Sequence, residues 1–324
     1  MISLNKSILI TGGTGSFGKA MVHYLTSKYK KIKRLVVFSR DELKQYEMSK
    51  IYNQDYIRYF LGDIRDYQRL KRAFENIDVI YHAAALKQVP VAEYNPDECI
   101  KTNIIGAQNI IGCALEQNIK KVVALSTDKA VAPINLYGAT KLCSDKLFVS
   151  ANNIRGDKKI SFSVVRYGNV AGSRGSIIPL FKNIKDNKFP ITHPDMTRFW
   201  ITMKEAIELV LWAEKFAFGG EIFIPKLKSF KITDLALAIK PQAKLNIIGI
   251  RPGEKIHEEL ITGTESMLSF DLGKYYCVAP DQSFFKNKNI IKAKKIIGNL
   301  DYVSNNKKLL MNLSELRKKL LKLI

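Results

Sequence analysis

Ser7-Ile8-Leu9-Ile10-Thr11-Gly12-Gly13-Thr14-Gly15-Ser16-Phe17-Gly18 is the stretch from which the fold is read. Ser7 to Ile10 has the length and character of a short buried strand, and Met21 and Leu25, beyond the glycines, keep helical spacing. Glycines at 12, 15 and 18 permit a tight turn, close backbone approach to a pyrophosphate and close packing of helix on strand. The amides of the turn and helix start then face phosphate, which puts Gly12, Thr14, Gly15, Ser16, Phe17 and Gly18 among the candidate cofactor residues. A purely structural glycine turn is the plainer alternative.

The strands that follow are expected at 35–38, 58–61, 79–82, 122–125 and 164–167, each a short apolar run of the kind buried in a parallel sheet. The first of them ends at Ser39-Arg40-Asp41. An acidic residue there suits the ribose 2′-hydroxyl of NAD, whereas serine and arginine suit the 2′-phosphate of NADP. Ser39, Arg40 and, a turn later, Lys44 favour NADP, and Asp41 is the residue that speaks for NAD. Asp63 and Ile64 follow the next strand, placed to edge the adenine. Ala83 opens a run of small side chains after 79–82 that lets backbone lie against the cofactor, with Lys87 just beyond as a candidate cofactor or substrate contact. His82 reads as a packed strand residue. Ile100, Asn103, Ile104, Ala107 and Ile111 form one stripe of a long helix over 96–117.

Ser126-Thr127-Asp128-Lys129 lies at the carboxyl end of the central strand, where open α/β sheets bind ligands. Tyr137 opens a helical segment, and Lys141 falls one turn further along the same face. An ammonium beside a phenol favours the phenolate, so Lys141 is expected to bring Tyr137 toward the range of a general base and to hydrogen-bond a ribose. Tyr-x-x-x-Lys is weak by itself, and its weight comes from the phosphate turn upstream.

The expected architecture is a Rossmann-type doubly wound parallel sheet over residues 1–173, followed by a smaller α/β part over 174–324 that binds substrate and returns some segments to the first. Helices are expected over 177–185 and 202–216, the latter amphipathic, with strands at 221–225 and 245–250. Thr233 is read as a helix cap, and Asn312 opens a capping box.

The 324 residues, 46% hydrophobic and 25% charged, are ordinary for an enzyme with a full core. No apolar run approaches the roughly 18 to 20 residues that span a bilayer, and the chain starts on a strand rather than a leader, so a cytoplasmic protein away from membranes is expected. Four scattered cysteines lack metal spacing and suit free thiols, and no metal is expected. The net charge of +22 invites a nucleic-acid reading, but the lysines are dispersed, dense only after Lys286, and lack aromatic interleaving. Solvated lysine faces explain them better, including the basic stretch 286–295.

Thr11–Gly18, His82-Ala83-Ala84-Ala85 and Tyr137-x-x-x-Lys141 together resemble the extended short-chain dehydrogenase/reductase superfamily. Ser39–Lys44, Ser126–Ala130, Val165–Val170, Met196–Thr202 and Ile250–Lys255 narrow the resemblance to the inverting UDP-N-acetylglucosamine 4,6-dehydratases that open pseudaminic acid biosynthesis. The resemblance implies an NADP enzyme in which Tyr137 takes the C4 hydroxyl proton, Lys129 removes the C5 proton and Asp128 protonates the departing C6 hydroxyl. It further implies that Asn169, Arg198 and Arg251 hold substrate, that Val170 adjoins the cofactor, and that the protein assembles as a homo-oligomer, a dimer or hexamer. Lys129 can be a base only when neutral, so burial and the charge of Lys141 are expected to lower its pKa against the pull of Asp128.

Three alternatives stay open. Retaining dehydratases of the same sugar commonly carry methionine in place of the tyrosine, and epimerases on this scaffold need no acid and base at C5 and C6. A redox-silent NADP sensor or a nucleic-acid binder is the non-enzyme alternative.

Overall fold

In the computed structural model, which describes residues 2–173, 175–285, 293–298, 300 and 302–323, a ten-stranded sheet runs through the centre of the chain. Its parallel strands are β1 (Ile2–Thr11), β2 (Tyr29–Ser39), β3 (Ile57–Leu61), β4 (Val79–His82), β5 (Lys121–Leu125) and β6 (Ser161–Val165), with Ile222–Pro225 added beside β6. They lie in the order β3-β2-β1-β4-β5-β6, then Ile222–Pro225. Tyr275–Val278, Ser269–Asp271 and Lys294–Lys295 extend the same edge antiparallel. This is the doubly wound Rossmann-type sheet expected from the sequence, with smaller α/β elements from the C-terminal part.

The strands form where they do because their apolar runs are continuous: Val79 to Tyr81, Val122 to Ala124 and Phe162 to Val165 are all buried, as both faces of the sheet are covered. Strand order reverses between β1 and β4, and there a crevice opens at the carboxyl ends. Thr11 pairs with His82 across that reversal, so Gly12 leaves β1 alongside Ala83 and Ala84. His82 is a packed strand residue, as read: Nδ1 lies 2.8 Å from Thr11 Oγ1, and burial pushes its pKa down to about 3.

A second apolar cluster, built from Phe181, Phe189, Met196, Trp200, Leu235 and Leu316, belongs to the C-terminal part. Thr202 caps Met203–Phe216 and Asn312 caps Leu313–Leu321, each in a reciprocal capping box with the glutamate three residues on. Two local expectations differ, and a third falls outside the described residues. The long helix is interrupted by a π-type turn at Lys101–Ile105, because Gly106 presses on Ile64 and Asn103 turns inward to bind both Leu86 N and Leu86 O at 2.9 Å. Ile232–Ile239 starts before Thr233, with Lys231 at its N-cap, so Thr233 is not the cap. Residues 286–292 of the basic stretch lie outside the described residues.

The sheet and the C-terminal part are tied together by Arg166, just beyond β6 and almost fully buried. Its guanidinium donates to both Glu265 oxygens, at 2.9 and 3.0 Å, and lies 3.7 Å from Asp145. Arg166→Met should therefore lower unfolding free energy by about 3–5 kcal/mol in chemical denaturation, because two carboxylates lose their buried counter-ion. Burial pushes Glu265 up, but Arg166 outweighs it and holds the carboxyl below its usual range. The pair's contribution is thus present near neutrality and is lost as pH falls through that lowered range.

Candidate active site

A cleft of about 540 Å³ opens at the strand-order reversal, and its two ends differ in chemistry. At one end Gly12 takes φ +64°, and a Cβ there would stand 2.8 Å from Ala84 N. Only glycine lets the two backbones close up in this way. The helix Ser16–Lys28 begins behind it with Gly15 at its N-cap and no side chain capping its amides, an arrangement suited to phosphate. Gly12, Thr14, Gly15, Ser16 and Phe17 line this end. Gly18 does not: it packs against the Gly13 backbone, closing helix onto strand. Ser39, Arg40, Lys44, Asp63 and Ile64 line the adjoining wall, and Ala83 and Lys87 the floor near β4. A dinucleotide fits these residues, since the cradle is one a Cβ would fill.

At the other end Thr127, Lys129, Tyr137, Lys141, Asn169 and Val170 line the cleft. Thr127 Oγ1 accepts from Lys129 N and so fixes a short helical turn, Asp128–Ala130, after β5. The helix Leu136–Ser150 is capped by Asn135, whose Oδ1 accepts from Gly138 N at 2.7 Å. Gly138 leaves no room for a Cβ against the Lys129 carbonyl, and this close approach turns Tyr137 and Lys141 toward the same wall. Lys129 Nζ lies 3.1 Å from Asp128 Oδ1, 3.0 Å from Glu258 Oε1 and 3.4 Å from Asn169 Oδ1.

Asp128 itself is 0% exposed and lies behind the wall, meeting the cleft through Thr127 Oγ1 and Lys129 Nζ. Its Oδ2 is buried without a hydrogen-bond partner. Burial, together with the neighbouring Glu258 charge, raises its pKa, which favours the protonated acid.

Two electrostatic expectations are corrected. Burial pulls the Lys129 pKa down, but Asp128 and Glu258 outweigh it and hold the ammonium above its ordinary range. Tyr137 is pushed up to about 12 by burial, and the cation working against that is Lys129, helped by a hydrogen bond from Thr127, rather than Lys141. Lys141 is lowered by its own burial, against the raising charge of Asp145.

The two arginines expected on substrate are not among the residues that line the cleft. Arg198 is buried with Nη1 donating to the Thr197 and Ile256 carbonyls, and it does not line the cleft. Arg251 is exposed and also off the lining, on a turn whose Gly253 carbonyl accepts from Asn135 Nδ2 at 2.7 Å. His257 is half-buried and hydrogen-bonded to Thr197 Oγ1 at 2.9 Å. Sequence reading missed Glu258 and Asp145, and named Thr127 only as part of the stretch after the central strand. Asp145 had a signal, four residues after Lys141 on one helix face; Glu258 had none, lying 129 residues from the lysine it meets.

A family model described as polysaccharide biosynthesis protein matches residues 8–280. The inverting UDP-N-acetylglucosamine 4,6-dehydratase of Campylobacter jejuni serotype O:2 is 50% identical over 321 residues, covering 96% of either chain. The chain belongs to the family of inverting UDP-N-acetylglucosamine 4,6-dehydratases. Among solved structures, the Pen protein of Bacillus thuringiensis superposes on this dehydratase family member with a TM-score of 0.89 at 38% identity, covering 99% of this chain and 100% of that one. A UDP-glucose 4-epimerase of Rickettsia bellii is 42% identical, covering 99% of this chain and 96% of its own.

The expectation of NADP is corrected. DesIV of Streptomyces venezuelae, a dTDP-glucose 4,6-dehydratase of the same fold, was solved with NAD; it has a TM-score of 0.69 and 21% identity, covering 77% of this chain and 86% of that one. Two nucleotide-sugar 4-epimerases of this fold were solved with NAD as well. The cations read as a 2′-phosphate clamp in this dehydratase are already engaged, Arg40 with Asp63 at 3.4 Å and Lys44 with Asp41.

Proposed function

We infer that the chain converts UDP-N-acetylglucosamine to UDP-2-acetamido-2,6-dideoxy-β-L-arabino-hex-4-ulose, the opening step of pseudaminic acid biosynthesis, with NAD held at the glycine-turn end of the cleft. The observation that carries this reading is an acid and base pair, Asp128 just behind and Lys129 at the wall that Tyr137 shares, in a chain half identical to an inverting dehydratase. The dinucleotide, when bound, supplies the hydride acceptor for C4 and the donor for C6.

In this reading Tyr137 Oη takes the proton of the C4 hydroxyl, and the resulting ketone acidifies the C5 hydrogen. Lys129 Nζ removes it. The base form arises by passing the Lys129 proton to Asp128 Oδ1, 3.1 Å away, which creates a neutral amine and a neutral carboxylic acid in one transfer. Asp128 then returns a proton, by way of the cleft-lining groups it touches, to the departing C6 oxygen. Lys141 and Ala83 orient the dinucleotide, and Lys87 and Asn169 the sugar. Arg251 is the candidate for the diphosphate, as a guanidinium fork suits two phosphate oxygens. Residues 1–173 carry the dinucleotide and 174–324 mainly the nucleotide sugar. The reading includes a homo-oligomer in the cytoplasm, which light scattering on the purified protein tests.

Turnover in deuterated water with no added cofactor is the decisive experiment. The expected product has lost one water, carries deuterium at C5 and has the L-arabino configuration. A gluco-configured C5 would instead mark a retaining dehydratase. Retention of the 6-hydroxyl would mark an epimerase, the second reading that the Rickettsia relative favours.

A further inference from the structure

Glu258 is the group at the Lys129 ammonium to which the dehydration steps give no part. It reaches the site from the C-terminal part, is 1% exposed, and has Oε1 3.0 Å from Lys129 Nζ and 3.7 Å from Arg198 Nε. Its backbone is pinned on both sides by Ser304, whose Oγ accepts from Glu258 N at 2.9 Å and whose N donates to Glu258 O at 2.8 Å. Arg198 is pinned in turn by the Thr197 and Ile256 carbonyls. The carboxylate is therefore fixed, and the flexible lysine side chain comes to it.

Two carboxyl groups share this one ammonium, and their surroundings differ. Asp128 offers Oδ1 to Thr127 and Lys129 while its Oδ2 is buried with no partner, a costly setting for a full negative charge. Glu258 likewise leaves Oε2 buried without a partner, but its Oε1 faces two cations, Lys129 Nζ at 3.0 Å and Arg198 Nε at 3.7 Å. We propose that Glu258 is a positioning residue of the reaction: it carries the counter-charge of the resting Lys129 ammonium and fixes that group at the cleft wall, so that the Asp128 carboxyl can take and hold the proton Lys129 passes to it. This rests on Lys129 and Asp128 acting as base and acid.

The charged and titratable groups acting on Lys129 are Asp128 and Tyr137 from the sheet side and Glu258, Arg198 and Lys255 from the C-terminal part, with Glu254 beside Arg198 and Glu259 beside Lys255. The Glu258 charge acts on acid and base in one direction. It adds to burial in raising Asp128, and with Asp128 it outweighs burial in raising Lys129. Burial pushes Glu258 itself up, but Lys129 and Arg198 outweigh that and keep it ionised. Removing its charge must lower the pKa of both reacting groups together.

The test is the pH profile of C5 deuterium exchange and of dehydration for wild type, E258Q and E258D. E258Q is expected to lower kcat and to slide both limbs of the profile to lower pH by about one unit or more, with KM close to wild type. E258D, which keeps the charge but withdraws it by a methylene, is expected to recover part of kcat and to slide the limbs in the same direction by less. A purely structural role would lower the height of the E258Q profile and leave its limbs in place, and that result overturns the proposal. Should E258Q fail to fold, E258D decides, and limbs that coincide with wild type overturn it. A wild type that does not turn over UDP-N-acetylglucosamine overturns the functional reading and this proposal together, whereas unmoved limbs beside an active wild type overturn this proposal alone.

Discussion

Replacing Tyr137 with phenylalanine is expected to lower the first hydride transfer by about 10²–10⁴-fold, the usual contribution of a positioned general base, while the dinucleotide stays bound. The change removes one oxygen and leaves the ring, so the helix Leu136–Ser150, its Asn135 cap and the tight contact of Gly138 with Lys129 are all kept. With its pKa pushed up to about 12 by burial, the phenol of the resting protein is protonated, and its basic form becomes commoner as pH rises. Wild-type C4 oxidation should therefore accelerate with pH through the neutral range, and the variant should lose that slope. The readout is the growth of reduced-nicotinamide absorbance in a single turnover. An unchanged rate would take the C4 proton away from Tyr137.

Lys129→Met is expected to suppress C5 deuterium exchange by about 10²–10⁴-fold with C4 oxidation less affected, because the base is lost after the first hydride has moved. Methionine also leaves Asp128 and Glu258 buried without the ammonium they share, so this variant should be less stable than wild type. Lys129→Arg separates the two effects. Arginine keeps a cation between the carboxylates but does not deprotonate, so exchange should be lost with stability largely kept. Normal exchange in a folded arginine variant would remove Lys129 from the base role.

Much of the fold was legible because its signals are local. A buried parallel strand is a continuous apolar run, a capping box repeats at a fixed offset, and the glycine turn needs φ above zero at Gly12; each shows within a dozen residues. The π-type turn at Lys101–Ile105 was not legible, since it follows from a contact with Ile64 and from the pull of the Leu86 backbone on Asn103. The charge state of Lys129 was misread for the same reason. The sequence shows Asp128 beside it and Lys141 twelve residues on, but the raising pull comes from Asp128 together with Glu258, which folding delivers from the far half of the chain. Arg198 was expected on substrate from the resemblance, whereas in the fold its Nη1 donates to two carbonyls and its Nε lies against that same glutamate.

The segment 258–265 carries Glu258 to Lys129 at one end and, at the other, Glu265 to Arg166 and so to Asp145, whose charge acts on Lys141. Lys129 directly, and Lys141 by way of Arg166 and Asp145, thus answer to a carboxylate on this one short piece of the C-terminal part. Grafting a relative's C-terminal part onto this N-terminal sheet would import that relative's proton balance with it, and chimaeras cut upstream of this segment should change reaction outcome.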